Sequence, residues 1–158
     1  MGYTTEFNGH FDLNKKLTDE DAQYLLKFAN VRHMKRDIQG YGIEGEFYVD
    51  GSDNDGSDNF GQGRDSNIID YNKPPSTQPG LWCQWVPTKD YKGIIWDEGE
   101  KFYNYVEWLE YIINNFLAPK GYILNGEVEW IGEENGDLGM IVVVDNVVTT
   151  KEGFVAYI

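Results

Sequence analysis

A chain of 158 residues with 15% Phe, Tyr and Trp holds ample material for one hydrophobic core without a disulfide staple. Its 27 acidic against 13 basic residues give a formal net charge of -14, which opposes direct nucleic-acid binding because that affinity rests on Lys and Arg displacing counterions from phosphate. Two histidines and the single Cys83 leave no internal disulfide and too few ligands for a tetrahedral zinc site, and a lone cysteine suits a reducing, cytoplasmic setting.

The first residues, Met1 to Glu6, lack the basic start and apolar run of a signal peptide, and Glu6 breaks a myristoylation pattern at Gly2. Residues 3–11 then alternate Tyr3, Thr5, Phe7, Gly9 and Phe11 against Thr4, Glu6, Asn8 and His10, the period of a half-buried strand. A helix follows, capped by Thr18 with Asp19, Glu20 and Asp21 in its first turn, where backbone N–H groups are unpaired. Ala22, Leu25, Leu26, Phe28, Ala29 and Val31 supply its apolar stripe, and Arg32, His33, Lys35 and Arg36 suit its carbonyl-rich end. Residues 1–40 hold six acids and six bases, so the whole net charge belongs to residues 41–158.

Residues 41–49 read as a second strand, with Ile43, Gly45, Phe47 and Val49 on one face and Glu44, Glu46 and Tyr48 on the other. Turn formers fill residues 50–66 almost without apolar neighbours, which predicts a flexible Asp/Gly-rich insertion. Residues 68–71 pack locally, Pro74, Pro75 and Pro79 stiffen the approach, and residues 81–86 form a third strand. Phe102, Val106, Leu109, Ile113 and Phe116 recur at helical spacing, which predicts a helix over 98–117 that Pro119 and Gly121 stop. Strands at 122–131, 138–144, 147–150 and 154–158 complete the chain, with a tight reversal at Asp145 and Asn146. The longest apolar run, 140–144, is strand-sized and predicts no membrane span. The order is that of a single α+β domain: an antiparallel sheet with two main helices on one face, in the ferredoxin-like order βαββαβ, plus a C-terminal β-meander.

Chemistry is sparse in this pattern. The Asp53, Asp55 and Asp58 loop fails the EF-hand register, because Gly56 as sixth residue puts Gly51 first and Gln62 twelfth. Glu44 with Glu46, and Glu127 with Glu129, each share a strand face, an arrangement equally that of a solvated surface and of a carboxylate pair. Cys83 has no histidine near it in sequence and reads as a small buried hydrophobe. Arg32, His33, Lys35 and Arg36 form the single basic concentration, which with Tyr41, Trp82 or Trp85 as stacking surfaces makes an anion or nucleotide pocket. No cofactor is implied. The inward stripe of the 98–117 helix is complete without Tyr103, Trp108 or Tyr111, so these rings, with Glu107 and with Trp82, are the partner-contact candidates. Homodimerisation is the simplest use of such rings.

The runs Asp70-Tyr71-Asn72, Pro74-Pro75-Ser76 and Gln78-Pro79-Gly80-Leu81-Trp82-Cys83-Gln84-Trp85 carry a resemblance. So do Glu100-Lys101-Phe102-Tyr103-Asn104-Tyr105-Val106-Glu107-Trp108-Leu109, Asn125-Gly126-Glu127-Val128-Glu129-Trp130 and Asp145-Asn146-Val147-Val148. In these the chain resembles a family of small proteins encoded by bacteria and their phages, over roughly the C-terminal half and the first 36 residues. The resemblance implies a prokaryotic or viral setting and assigns no activity and no functional residue.

The composition therefore favours recognition over catalysis: a non-enzymatic acidic protein of bacterial or phage origin that binds a protein partner with a basic surface. In a phage that role includes inhibiting a host factor, for instance by imitating nucleic acid with spaced carboxylates. A small-molecule binding protein holding a nucleotide or other anion is the alternative, and a carboxylate-dependent hydrolase the third.

Overall fold

The computed structural model describes residues 2–36 and 68–158. The predicted strand at 41–49, with Tyr41, Glu44 and Glu46, and the whole of the predicted insertion at 50–66, with Asp53, Asp55 and Asp58, lie outside the described residues.

The chain is α+β. Strand β1 (Thr5–Leu13) leads to helix α1 (Asp19–Ala29), then β2 (Lys35–Arg36), β3 (Ile68–Asp70), β4 (Trp85–Pro87) and β5 (Gly93–Trp96). Helix α2 (Tyr105–Ile112) continues through a π turn (Ile113–Leu117) and a 3-10 turn (Ala118–Lys120) before β6 (Leu124–Gly132), β7 (Leu138–Val144) and β8 (Val147–Glu152). Six strands form one antiparallel sheet in the order β4-β5-β1-β6-β7-β8, while β2 and β3 pair separately.

Alternation sets the faces. Thr5 and Phe11 of β1 are buried while Glu6, Asn8, His10 and Asp12 are exposed, and β6 repeats this with Leu124, Val128 and Trp130 in and Glu127, Glu129 and Ile131 out. The two strands approach closely at Gly126, whose φ of +143° and whose absent Cβ, which would lie 3.0 Å from Phe11 Cα, both require glycine. Phe7 sits at the centre of an aromatic cluster, with ring centroids 4.9 Å from Tyr105, 5.2 Å from Trp96, 5.5 Å from Trp85 and 5.8 Å from Phe102.

Helix α1 begins as its sequence dictates: the Thr18 hydroxyl accepts from the Asp21 backbone N–H at 3.1 Å. The Asp21 side chain reaches the other end of the chain, accepting from the Tyr122 hydroxyl at 2.6 Å and lying 3.2 Å from Lys120 Nζ. Burial works to raise the Asp21 pKa, but the hydrogen bonds from Tyr122, Lys120 and Thr18 outweigh it and hold the carboxyl below the ordinary carboxylate range. A carboxyl depressed in the folded state stabilises above its unfolded pKa, and that contribution disappears as pH falls through the folded value. Asp21→Asn is therefore expected to lower the melting temperature at neutral pH and to flatten its fall below about pH 5. An acid limb as steep as that of the unsubstituted protein would remove Asp21 from the account.

Several sequence expectations are corrected. No helix occupies 98–104, because Glu98, Lys101 and Asn104 take left-handed backbone conformations with φ of 67°, 59° and 56°, and Phe102 turns into the aromatic cluster instead. The predicted strand at 81–86 pairs only from Trp85 onward. Strand β5, unseen in the sequence, closes a hairpin with β4 over a turn in which Tyr91 has a φ of 63°. Residues 154–158 form no strand, and Phe154, Val155, Tyr157 and Ile158 are exposed. Gly121, at a φ of +81°, ends the helical segment as expected.

Candidate functional site

The predicted contact residues separate into two groups. Trp82 and Tyr103 line one cleft, Tyr103 being 50% exposed, and Glu107 lies exposed on α2. Trp108 and Tyr111 are core residues, fully buried and 9% exposed respectively, which overturns the expectation that they are spare. The reason is packing on a second side: Phe28 of α1 lies 5.8 Å from Trp108 and 6.2 Å from Tyr111 between ring centroids, so α2 needs a wider apolar face than one stripe.

Among the described side chains, Arg32, His33 and Trp85 are not brought together in one pocket, while the Arg36 side chain and Tyr41 lie outside the described residues. Arg32 donates from Nε to the Tyr71 carbonyl at 3.0 Å and lays its guanidinium 4.4 Å over the Tyr71 ring. His33 is buried against Phe28 and Trp108, with Nε2 2.9 Å from the Phe28 carbonyl oxygen. Lys35 is exposed in β2, Arg36 contributes backbone to that strand, and Trp85 is a core residue whose indole donates to the Tyr105 carbonyl at 2.8 Å. Cys83 is fully buried, and burial chiefly, with the charge of Asp97 adding to it, pushes its thiol far above the ordinary range, so no thiolate nucleophile is available there. Among the described residues no group of three or more His, Cys, Asp or Glu could hold a metal ion.

Two surface features remain. The first is the outer face of the sheet, which no described element covers. Register places His10 beside Glu127 and Asn8 beside Glu129, and then Glu127 beside Val142 and Glu129 beside Met140. Glu6 and Asp12 extend the same face of β1, where Asp12 Oδ1 lies 3.1 Å from His10 Nε2. The result is a carboxylate stripe along β1 and β6 flanked by an apolar stripe that runs along β7 from Leu138 to Val144, with Ile131 of β6 beside one end and Val147 of β8 beside the other; Ile131, Val144 and Val147 are about 60% exposed. Lys151, opposite Met140, is the base on that flank. The sequence showed each Glu pair, but the meeting of Glu6 and Asp12 with Glu127 and Glu129 depends on pairing across more than a hundred residues.

The second feature is the cleft itself, about 610 Å³, walled by Pro79, Gly80 and Trp82 on one side and by Glu100, Lys101, Tyr103 and Asn104 on the other. Its two walls are tied: Gln84 Nε2 donates to the Glu100 carbonyl at 2.8 Å, and Asn104 Nδ2 to the Pro79 carbonyl at 2.6 Å. The Tyr103 hydroxyl accepts from the Tyr3 backbone N–H at 3.0 Å, which fixes the ring at the surface. Gly80 and Asn104 were missed in the sequence; the Pro79-Gly80 dipeptide and an Asn directly before a helix were the available signals.

No family model, curated protein or solved structure matches this chain.

Proposed function

We propose that this chain is a non-enzymatic, acidic binding protein of bacterial or phage origin that works in the cytoplasm on a protein partner with a basic surface, and in a phage inhibits a host factor. The observation that carries the reading is the uncovered sheet face, where Glu6, Asp12, Glu127 and Glu129 stand next to exposed Ile131, Val144 and Val147. A contiguous apolar patch on a soluble surface marks a contact site, and a one-sign charge stripe beside it steers a partner of opposite sign. Glu127 and Glu129 line an open depression of about 480 Å³ together with Ile131, Met140 and Lys151, an apolar and carboxylate mixture that suits docking of a basic surface better than hydrolysis.

The scaffold under this face is read as a ferredoxin-like βαββαβ unit extended by a β-meander. Support comes from the order β4-β5-β1-β6, from α1 lying between β1 and β4 and α2 between β5 and β6 in the chain, and from both helices supplying side chains to one buried cluster.

The test is recovery of tagged protein from its host at about 50 mM and about 500 mM salt, with the retained proteins identified by mass spectrometry. The expected partner is basic, leaves at the higher salt, and is not retained by Glu127→Lys combined with Glu129→Lys. A partner held equally at both salts and by that variant overturns the proposal, and so does self-association of the chain as the sole interaction, which would assign the apolar flank to a homodimer.

A further inference from the structure

We propose that the chain pairs with a second copy of itself edge to edge through β8, antiparallel and with Thr150 on the two-fold axis, so that two six-stranded sheets become one. The pairing uses the strand edge and leaves the outer face of each sheet open, so it does not depend on the docking reading above.

Backbone groups at this edge have no place in the ladder. Strand β8 ends the sheet, and β7 is its one neighbour among the described strands. The Gly153 N–H donates to the Leu138 carbonyl at 2.8 Å, and register then makes Lys151 with Met140, Thr149 with Val142 and Val147 with Val144 the hydrogen-bonded pairs. Val148, Thr150 and Glu152 therefore turn their N–H and C=O groups away from β7, toward a side on which no described strand lies.

The two ends of the sheet differ in how they are guarded. Strand β4 has three residues, finishes on Pro87 and is packed by α1, all of which discourage a further strand. Strand β8 runs for six residues in unbroken register, without a bulge or a proline, and Lys151 is its one basic residue. Such an edge is a template for another chain.

The residues along the edge select a second copy as the occupant. With Thr150 facing Thr150, Val148 of each copy faces Glu152 of the other, and every outward-turned residue exchanges both main-chain bonds with its opposite. Lys151 then falls opposite Thr149, so no like charges meet directly, whereas a pairing centred on Glu152 would oppose two carboxylates. The apolar ends also match. Val147 opens β8 and exposed Phe154 and Val155 follow it, so antiparallel order sets Val147 of one copy opposite Gly153 of the other, beside those two side chains. Gly153 has no side chain to obstruct that approach.

The net charge of -14 does not forbid the pairing. Strand β7 separates β8 from the carboxylate stripe, and at about 4.8 Å per strand the stripe of one copy lies about 14 Å from β8 of the other, beyond the screening length of about 8 Å at physiological salt.

The test is sedimentation equilibrium of the whole chain between about 1 and about 100 µM, with amide hydrogen exchange measured at both concentrations. A monomer–dimer equilibrium is expected, in which the amides of Val148, Thr150 and Glu152 slow as dimer forms, and it should persist at about 500 mM salt. Thr150→Pro removes an outward N–H without touching the β7 ladder, and Thr150→Lys keeps the main chain but opposes two positive charges on the axis. Each should weaken the dimer about tenfold or more, with the melting temperature at about 1 µM unchanged. Thr150→Val, which retains the N–H, should dimerise as before. A chain that stays monomeric to about 100 µM overturns the proposal. So does a dimer whose three edge amides exchange freely, or a folded Thr150→Lys variant that dimerises as well as the unsubstituted chain.

Discussion

Phe7→Ala is expected to remove about 3 kcal/mol or more of folding stability, the magnitude of truncating a packed Phe, and a large share of the roughly 5–15 kcal/mol that holds a domain together. Phe7 meets four aromatic rings at centroid distances between 4.9 and 5.8 Å, each at an edge-to-face angle between 61° and 75°. Such pairs contribute about 0.5–1.5 kcal/mol beyond their area, so the loss exceeds what the half-buried ring would give by area alone. The four partners come from β4, β5, the 98–104 loop and the start of α2, so one substitution loosens the joint between sheet and helix. The check is the urea midpoint, with near-ultraviolet circular dichroism reporting the tryptophans. Phe7→Leu should cost about half as much, because it refills volume without the edge-to-face geometry. Phe154→Ala, at an 82% exposed position, should stay within about 0.5 kcal/mol. A Phe7→Ala cost below that of Phe154→Ala would dissolve the cluster as a stabilising unit.

That cluster also explains what the sequence could and could not disclose. Alternation in β1 and β6 was readable because each strand has one wet face, and Thr18 with its three acids marked the start of α1 by purely local chemistry. The start of α2 was misread because Phe102 keeps helical spacing with Val106 and Leu109 while its backbone leaves the helix to reach Phe7. Period alone cannot separate those cases; the left-handed Asn104, whose side chain bonds to Pro79 rather than capping the helix, decides it. Trp108 and Tyr111 look spare in the sequence because one apolar stripe suffices for a helix that packs on one side, whereas Phe28 and His33 bury them from another. Of the surface sites, Trp82 and Tyr103 were legible as aromatics beyond the needs of the core. The close approach of Gly80 to the Trp108 indole was not, since it depends on α2 meeting a glycine 28 residues earlier in the chain.

Charge reversal of the sheet face, Glu127→Lys with Glu129→Lys, is expected to weaken partner binding by about 100-fold at low salt while leaving stability within about 0.5 kcal/mol. Both carboxylates are exposed, and neither belongs to the buried cluster, so the fold has no use for their sign. Each reversal removes one negative charge and adds a positive one, moving the net charge from -14 to -10, but the local change is larger because the two residues sit at the middle of the stripe. Two lysines there would face a basic partner with like charge, and they would interrupt the field between Glu6 and Asp12 on the neighbouring strand. Steering acts on encounter, so the association rate should carry most of the loss and its salt dependence should flatten, because screening has less attraction left to remove. The apolar flank predicts the complementary result. Ile131→Ser with Val144→Ser, at positions 60% and 58% exposed, should raise the dissociation rate with the association rate nearly unchanged. Surface plasmon resonance at two salt concentrations separates the two effects. An association rate untouched by the reversal would detach the carboxylate stripe from recognition and leave it as a solvated surface.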